Sequence, residues 1–451
     1  MATADVIVIG AGIIGAACAW QLAQQGLRVL LVDDRRPGAT AAGMGHLVCM
    51  DDNPAELALS AYSLHLWRRV LDRMPDNCAW RGCGTLWLAE KPQEMAIAEV
   101  KQQRMAALGV NSELMDSQQV AQLEPMLRSG LAGGLRVPGD GIIYAPNAAR
   151  WLAEDAGDAV RRVYGEVVAL EQHAVVLANG ERLSAPVITL ACGLHADKLL
   201  PAPLLRAKKG QLAITDRYPQ RVRHQLVELG YGASAHASDG TSVAFNVQAR
   251  PTGQLLIGSS RQFDSLDPAI DMPLLATMLK RAAEFLPALA TVNLIRCWAG
   301  FRAASADGLP LLGPHPAYPW LWLALGHEGL GVTTAMGSAA LIATQIQQQR
   351  TAIDDTPYRA ARMFTTAEAN KLIALTIAGQ PYQVQEGITV AAALSLSGED
   401  HCRISVSQQP RAPFCGMGVC QECRVIINGL QRLACQTLCQ PEMSIERSGQ
   451  K

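Results

Sequence analysis

The chain has almost no net charge: 39 Lys+Arg face 40 Asp+Glu, a formal balance of −1. That removes the electrostatic footprint of a protein that binds nucleic acid or an anionic membrane surface. It has no uninterrupted apolar stretch of the roughly 18 residues that a spanning helix needs, so a membrane span is not expected. Its start lacks a basic n-region, and the first apolar run is broken by Gly10, Gly12 and Gly15. That segment reads as a strand and turn, not a signal peptide. Internal repeats and low-complexity tracts are absent too. What is there is an ordinary globular composition, 451 residues with 49% hydrophobic and 18% charged, enough for roughly two or three domains. Of the 12 cysteines, four have a ligand spacing and eight are scattered; the expected compartment is the cytoplasm, which keeps thiols reduced.

Asp5-Val-Ile-Val-Ile9 is a β-branched run suited to a parallel strand buried on both faces. Gly10-Ala11-Gly12-Ile13-Ile14-Gly15 follows directly. Ala16 to Gln25 then reads as a helix ended by Gly26, and Val29 to Val32 as a second buried strand with Asp33 at its end. Gly10 permits the tight turn, Gly12 lets the backbone approach a pyrophosphate, and Gly15 lets the helix pack on the strand. The helix N-terminus offers free N–H groups to phosphates, and Asp33 can accept a hydrogen bond from a ribose 2′-OH. Alone, G-x-G-x-x-G is weak; in the order strand, turn, helix, strand, acid it is a specific dinucleotide fingerprint. It does not by itself choose between NAD and FAD.

Further along come a small-residue loop from Arg35 to His46, a strand–turn–strand segment over Val163–Gly193, Trp298-Ala-Gly-Phe-Arg302, Asp307-Gly-Leu-Pro-Leu-Leu-Gly313 and Gly326-His-Glu-Gly-Leu-Gly-Val-Thr333. These residues resemble the glycine oxidase and D-amino-acid oxidase-like family of FAD enzymes over about residues 4–350. Gly43-Met-Gly-His46 and Gly326-His-Glu-Gly-Leu-Gly331 look most like the amine-oxidising subunits of hydrogen cyanide synthase, opine dehydrogenase and D-hydroxyproline dehydrogenase. The resemblance implies that Gly10, Ala11, Gly12, Ile13, Ile14, Gly15, Asp33, Asp34 and Arg35 hold the ADP half of FAD. It implies that Thr40, Ala41, Ala42, Gly43, Met44, Gly45 and His46 line the flavin. Val167 would meet the adenine, and Ala191, Cys192 and Gly193 the ribityl side. Gly326, His327, Glu328, Gly329, Leu330, Gly331, Val332 and Thr333 would close over the pyrimidine end of the isoalloxazine.

Arg302 matches the family's substrate-carboxylate arginine, although the family has Arg-Pro where this chain has Arg302-Ala303. Its chemistry points the same way: a guanidinium in a Gly- and Trp-lined apolar stretch needs a partner, and a carboxylate offers a bidentate one. A structural ion pair is the plain alternative. His46 and His327 are candidate bases, with packing or flavin contact as the plainer reading, and Glu328 either binds a substrate amine or caps a turn. Oxidation of a neutral amine by hydride transfer requires no side-chain base. Phe245, Asn246 and Arg250 read as packing residues of a strand that faces the presumed pocket.

Near the other end, Cys415, Cys420, Cys423 and Cys435 form the pattern C-x4-C-x2-C-x11-C. The first three stand as in plant-type [2Fe–2S] ferredoxins, and Gly416 and Gly418 let the loop wrap closely. Zinc competes for four thiolates, but zinc sites typically use two Cys pairs and here the fourth ligand stands alone. Over residues 372–446 the segment resembles the small [2Fe–2S] subunit of the same complexes. Ile373–Ile377 and Tyr382–Val384 read as a hairpin, Thr389–Leu396 as a helix, Cys402–Val406 as a strand, and Arg424–Ile427 with Leu430 as a hairpin delivering Cys435. Cys402 and Cys439 read as packing. From Lys371 onward there are seven Lys+Arg and six Asp+Glu, a near-neutral carrier that suits a tethered relay.

The expected fold is α/β and α+β. A Rossmann-like FAD-binding domain (about 1–50, 150–205 and 297–350) carries a mixed-sheet substrate domain (about 51–149 and 206–296, with helices such as Pro54–Leu71 and Met272–Phe285). The helix Gly337–Gln349 completes it. A linker over 351–370 then leads to a β-grasp ferredoxin-like domain, 371–451. The expected function is that of an FAD-dependent amino- or imino-acid dehydrogenase passing electrons through [2Fe–2S] to a larger flavin/iron–sulfur subunit. An O₂-using oxidase with a non-relay cluster, or a non-catalytic electron-transfer subunit, are the alternatives. The expected location is cytoplasmic, any membrane association coming through partners.

Overall fold

Val6–Ile9 is buried along its whole length and pairs in parallel with Val29–Asp33 on one side and Val187–Leu190 on the other. Only a central strand flanked on both faces buries such a run. It belongs to a six-stranded sheet ordered Leu311–His315, Tyr318–Leu325, Val187–Leu190, Val6–Ile9, Val29–Asp33, Val160–Tyr164. The helices Ile13–Gln24, Ala145–Asp155 and Gly331–Ile346 share its core, with Leu22, Leu31, Leu152 and Ile342 wholly or almost wholly buried. The computed structural model describes residues 4–50, 53–230, 241–364, 372–385, 388–397, 401–414 and 420–448. The chain divides into two compact units, Met1–Ala361 and Arg362–Lys451.

The first unit also holds an eight-stranded mixed sheet. Its order is Leu294–Ala304, Arg206–Arg217, Gln254–Phe263, Ser242–Ala249, Gln225–Glu228, Thr85–Ala89, Gly133–Val137, Glu113–Asp116. Period-two alternation gives its faces different tasks. Phe245, Val247 and Ala249 enter a core with the helix Met272–Phe285, Phe245 stacking on Phe285 at 4.3 Å. Asn246 and Gln248 point to the opposite face.

Four placements differ from the sequence reading. Leu294–Ala304, which carries Arg302, is a strand of the eight-stranded sheet and not of the nucleotide-binding part, because its whole length pairs with Arg206–Arg217. The helix Pro54–Arg68, expected in the substrate domain, packs instead on Gly331–Ile346: Ser63 Oγ donates to Thr333 O at 2.6 Å and accepts from Gly337 N at 2.9 Å. Residues 351–361 belong to the first unit, where Tyr358 is buried and donates to Ala55 O at 2.5 Å. The last helix starts at Gly331, six residues before the expected start.

In the second unit a five-stranded sheet runs Gln380–Gln385, Leu372–Ile377, Ser444–Arg447, Arg424–Ile427, Leu430–Leu433. Thr389 caps the helix Val390–Leu396, its Oγ1 accepting from Ala392 N at 3.2 Å. Ile373, Leu375, Leu394, Val425 and Ile445 form the core between them. This is the β-grasp layout expected, although the strand read over Cys402–Val406 shrinks to Arg403–Ile404.

Asp140 is buried just before the short strand Gly141–Ile142, where Cys49 N donates to its Oδ1 at 3.1 Å. Burial outweighs the hydrogen bonds from Thr85 and Cys49 and pushes its pKa up to about 7. An unfolded Asp ionises near about pH 4. Between about pH 4 and 7 the folded chain therefore binds more protons, so stability falls as pH rises through that window and levels off above it. Asp140→Asn is expected to flatten that slope. Urea midpoints at about pH 5 and about pH 8 check it: an unchanged gap between the two defeats the assignment.

Candidate functional site

Gly10 has φ +100°, and a Cβ there would lie 2.8 Å from Ala191 O; a Cβ on Gly15 would lie 1.8 Å from Gly10 O. Both glycines are therefore required by the close approach of strand, turn and helix. Gly12 caps the helix Ile13–Gln24 without a side chain. Thr40 Oγ1 accepts from Ile13 N at 3.0 Å, and the remaining first-turn N–H groups form the dipole end that suits a pyrophosphate. Asp33 accepts from Ala11 N and from Arg35 N, each at 2.7 Å, and each oxygen keeps a lone pair for a ribose hydroxyl. Asp34 accepts from Arg36 N at 3.0 Å, and Arg35 lies 3.6 Å over the Tyr164 ring. Those two expected ADP residues therefore shape the loop. Val167 opens a half-buried strand, and Ala191, Cys192 and Gly193 follow the strand Val187–Leu190, Ala191 against Gly10.

The loop expected from Thr40 to Gly45 begins as a helical turn, Ala39–Ala42, and the segment is clamped from several sides. Ala42 O accepts from Trp298 Nε1 at 3.0 Å, and a Cβ on Gly300 would lie 2.4 Å from Ala42 Cβ. Met44 packs with Leu212 and Leu256. Gly45 has φ +78°, and a Cβ there would meet Ile143 O at 2.0 Å. Thr333 ties the loop to the last helix, donating to His46 O at 3.0 Å and accepting from Val48 N at 3.1 Å.

Neither histidine is poised as a base. His46 Nδ1 bonds Gln225 Oε1 and its Nε2 faces Asn246 Nδ2 at 3.1 Å; burial drives its pKa down to about 4. His327 bonds Ser338 Oγ at 3.0 Å, and burial drives its pKa down to about 3. Both stay neutral at physiological pH, with ring nitrogens bonded to neighbouring side chains. Phe245 is core as expected.

Arg302 stands directly opposite Lys208 in the sheet. Its guanidinium lies over Gly210, where a Cβ would come 2.7 Å from Nη1 and 2.8 Å from Nη2. Nη1 donates to Ser260 O at 3.2 Å, and no carboxylate holds the group by an ion pair among the described residues. Glu328 follows on a left-handed residue, φ +47°. Its Oε2 accepts from Gly329 N at 2.8 Å, while Oε1 lies 3.6 Å from Lys208 Nζ and 3.9 Å from Arg261 Nε. Burial alone would raise its pKa, but Arg261, Arg302 and Lys208 outweigh it and bring the value to about 2. Glu328 is thus ionised, and its buried Oε1 has no hydrogen-bond partner among the described residues. Lys208, Gly210, Ser260 and Arg261 escaped the sequence reading. The alternation Lys208, Gly210, Leu212 was the available signal for one face of a strand.

In the second unit the hairpin Arg424–Leu433 returns Cys435 to Cys423, their Sγ atoms 3.2 Å apart. Cys423 is buried, and Cys420 and Cys435 are partly exposed. Cys415, Gly416 and Gly418 lie outside the described residues, and among those described no three ligands converge on a metal position. Thiols gathered by one hairpin are the donor set an iron–sulfur cluster takes. Cys402 and Cys439 are buried in the core, as packing.

Residues 5–345 match the family of FAD dependent oxidoreductases, and residues 370–450 match the 2Fe-2S iron-sulfur cluster binding domain. Hydrogen cyanide synthase subunit HcnC of Pseudomonas aeruginosa is 26% identical over 419 residues, covering 80% of this chain and 96% of the relative. An opine oxidase subunit of Rhizobium meliloti is 24% identical over 389 residues, covering 81% and 99%. The crystal structure of glycine oxidase from Geobacillus kaustophilus is similar in fold, with a TM-score of 0.71 at 23% identity over 80% of this chain and 98% of that one. The cofactors are FAD and a [2Fe–2S] cluster; the open helix end and Asp33 suit the first, and Cys423 and Cys435 supply thiols of the kind the second takes.

Gly15→Ala is expected to abolish FAD retention, because the added carbon meets backbone oxygen that cannot turn aside. Flavin absorbance of the purified protein checks this. Retention of one flavin per chain would mean that the turn tolerates a shift.

Proposed function

This chain belongs to the FAD-dependent oxidoreductase family and is an amino-acid oxidoreductase with a [2Fe–2S] domain; from that premise we propose that it is a dehydrogenase whose electrons leave through the cluster to a partner flavoprotein subunit. One observation carries the reading. The polypeptide that holds a carboxylate-ready guanidinium on Gly210 also gathers Cys423 and Cys435, with Cys420 close in sequence, by one hairpin. FAD, when bound, accepts a hydride, and the cluster passes electrons singly.

The chain's own residues bind and orient. Arg302 takes the substrate carboxylate through the two nitrogens that lie over Gly210. Glu328 stays ionised, and its Oε1 accepts an N–H of the substrate amine, fixing which α-hydrogen faces the flavin. His46 and His327, neutral and internally bonded, take no proton; the amine gives up its proton to solvent before oxidation. Met44, Leu212, Leu256 and Trp298 form an apolar wall that keeps water from competing at the reacting carbon.

Substrates of this chemistry include glycine, D-amino acids, D-hydroxyproline and opines. The relatives' names support a partner, since two of them are subunits of larger enzymes. We place the chain in the cytoplasm on its free cysteines, which suit a reducing compartment. No helix among the described residues is long and apolar enough to cross a membrane.

Anaerobic mixing with substrate should bleach the flavin first and the iron–sulfur absorbance afterwards. Cys435→Ser should keep the first phase and lose the second. Rapid peroxide release in air with an unreduced cluster would establish an oxidase instead. Gly210→Ala displaces the Arg302 guanidinium, so KM should rise by about 10-fold with kcat held within about 3-fold. Arg302→Ala should lower substrate-driven flavin reduction by about 100-fold or more; an unchanged rate would mean that Arg302 does not hold the substrate, and no substrate-driven reduction in the wild type would mean that the chain only relays electrons.

A further inference from the structure

Arg250 ends the strand Ser242–Ala249, its backbone N–H donating to Gln254 O at 2.8 Å. Asn246, Gln248 and Arg250 alternate away from the Phe245–Val247 core and share the other face of the sheet. Gln248 pairs with Leu256, which packs on Met44 and Leu212. Leu212 pairs with Trp298, and four residues along, Lys208 pairs with Arg302. Two guanidiniums therefore stand on one face of this sheet, with the Met44 cluster between them.

They differ from the arginine of the same sheet region that is held by acids. Arg281, for comparison, is met by Glu90, Glu228 and Glu284. Arg250 Nη1 donates to Gln248 Oε1 at 2.9 Å and to Met44 O at 3.4 Å, both neutral acceptors. No carboxylate reaches Arg250 among the described residues. The titratable groups that face it are Tyr144, Cys83, whose thiol pKa burial pushes up, and His46, which burial keeps neutral; none is a carboxylate, and burial lowers the pKa of Arg250 itself. A largely desolvated cation without a counter-charge is costly, and a fork of donors left partly unused fits an anionic ligand. Met44, whose carbonyl it touches, belongs to the flavin loop.

We propose that Arg250 receives a second anionic group of the substrate, so that the preferred substrate is an amino diacid: an amine bearing two carboxylates, one for Arg302 and one for Arg250. This rests on the amino-acid reading above and narrows it.

The test uses the holoenzyme with a dye acceptor under anaerobic conditions. Matched pairs are iminodiacetate against N-methylglycine, and D-glutamate against D-glutamine. Wild-type kcat/KM should favour the diacid of at least one pair by about 30-fold, and Arg250→Gln should shrink that preference by about 10-fold or more, chiefly through KM. Arg250→Lys should restore part of it. A wild type that prefers the monocarboxylate, or a variant that loses both classes equally, overturns the proposal while leaving amino-acid oxidation standing. Failure of every amino substrate to bleach the flavin overturns the amino-acid reading itself. Should Arg250→Gln not retain flavin, the wild type still decides: succinate should perturb the flavin spectrum with about 10-fold higher affinity than butyrate, and equal affinities refute the diacid site.

Discussion

A side chain on residue 15 would have to occupy the place of the Gly10 carbonyl oxygen. That exclusion fixes how closely the first helix lies on the first strand, and with it the direction in which the helix N-terminus points. The same kind of constraint recurs wherever the site is tight: Gly45 against Ile143, Gly300 against Ala42, Gly210 beneath Arg302. The substrate and cofactor regions are shaped as much by missing side chains as by present ones. Each such glycine exchanges local backbone freedom for a separation that no other residue allows.

Within that frame the ionisable groups are sorted by their surroundings. Glu328 keeps its charge because Arg261, Arg302 and Lys208 overcome the cost of burial. Both histidines lose theirs because burial meets no compensating carboxylate. A carboxylate held charged among three cations stays available as a hydrogen-bond acceptor, and imidazoles with lowered pKa values are weak bases.

The nucleotide fingerprint was legible because it depends on adjacent residues: Gly10, Gly12 and Gly15 announce one turn, and Asp33 ends the next strand. The β-grasp hairpins were legible for the same reason, through Gly379 and Asn428-Gly429. Arg302 was found by resemblance, yet its strand was assigned to the wrong sheet, since pairing with residues 206–217 leaves no local trace. Lys208 and Gly210 were invisible as site residues because their meaning lies across the strand, in what stands opposite. Arg250 read as a packing residue. Only its surroundings, with amides and a carbonyl where an acid would be ordinary, set it apart.

The six-stranded sheet draws its strands from residues 6–33, 160–164, 187–190 and 311–325. Val187–Leu190 lies between the first strand and Tyr318–Leu325. A ribosome that has finished the fingerprint has therefore not made a nucleotide fold: about two-thirds of the chain must follow before the sheet can close. Until residues 187–190 are made, Val6–Ile9 keeps one edge without its native partner, the kind of nascent segment that aggregates or engages chaperones. The second unit repeats the constraint on a smaller scale: Leu372–Ile377 pairs with Ser444–Arg447, so its sheet too closes only when its last strand is present.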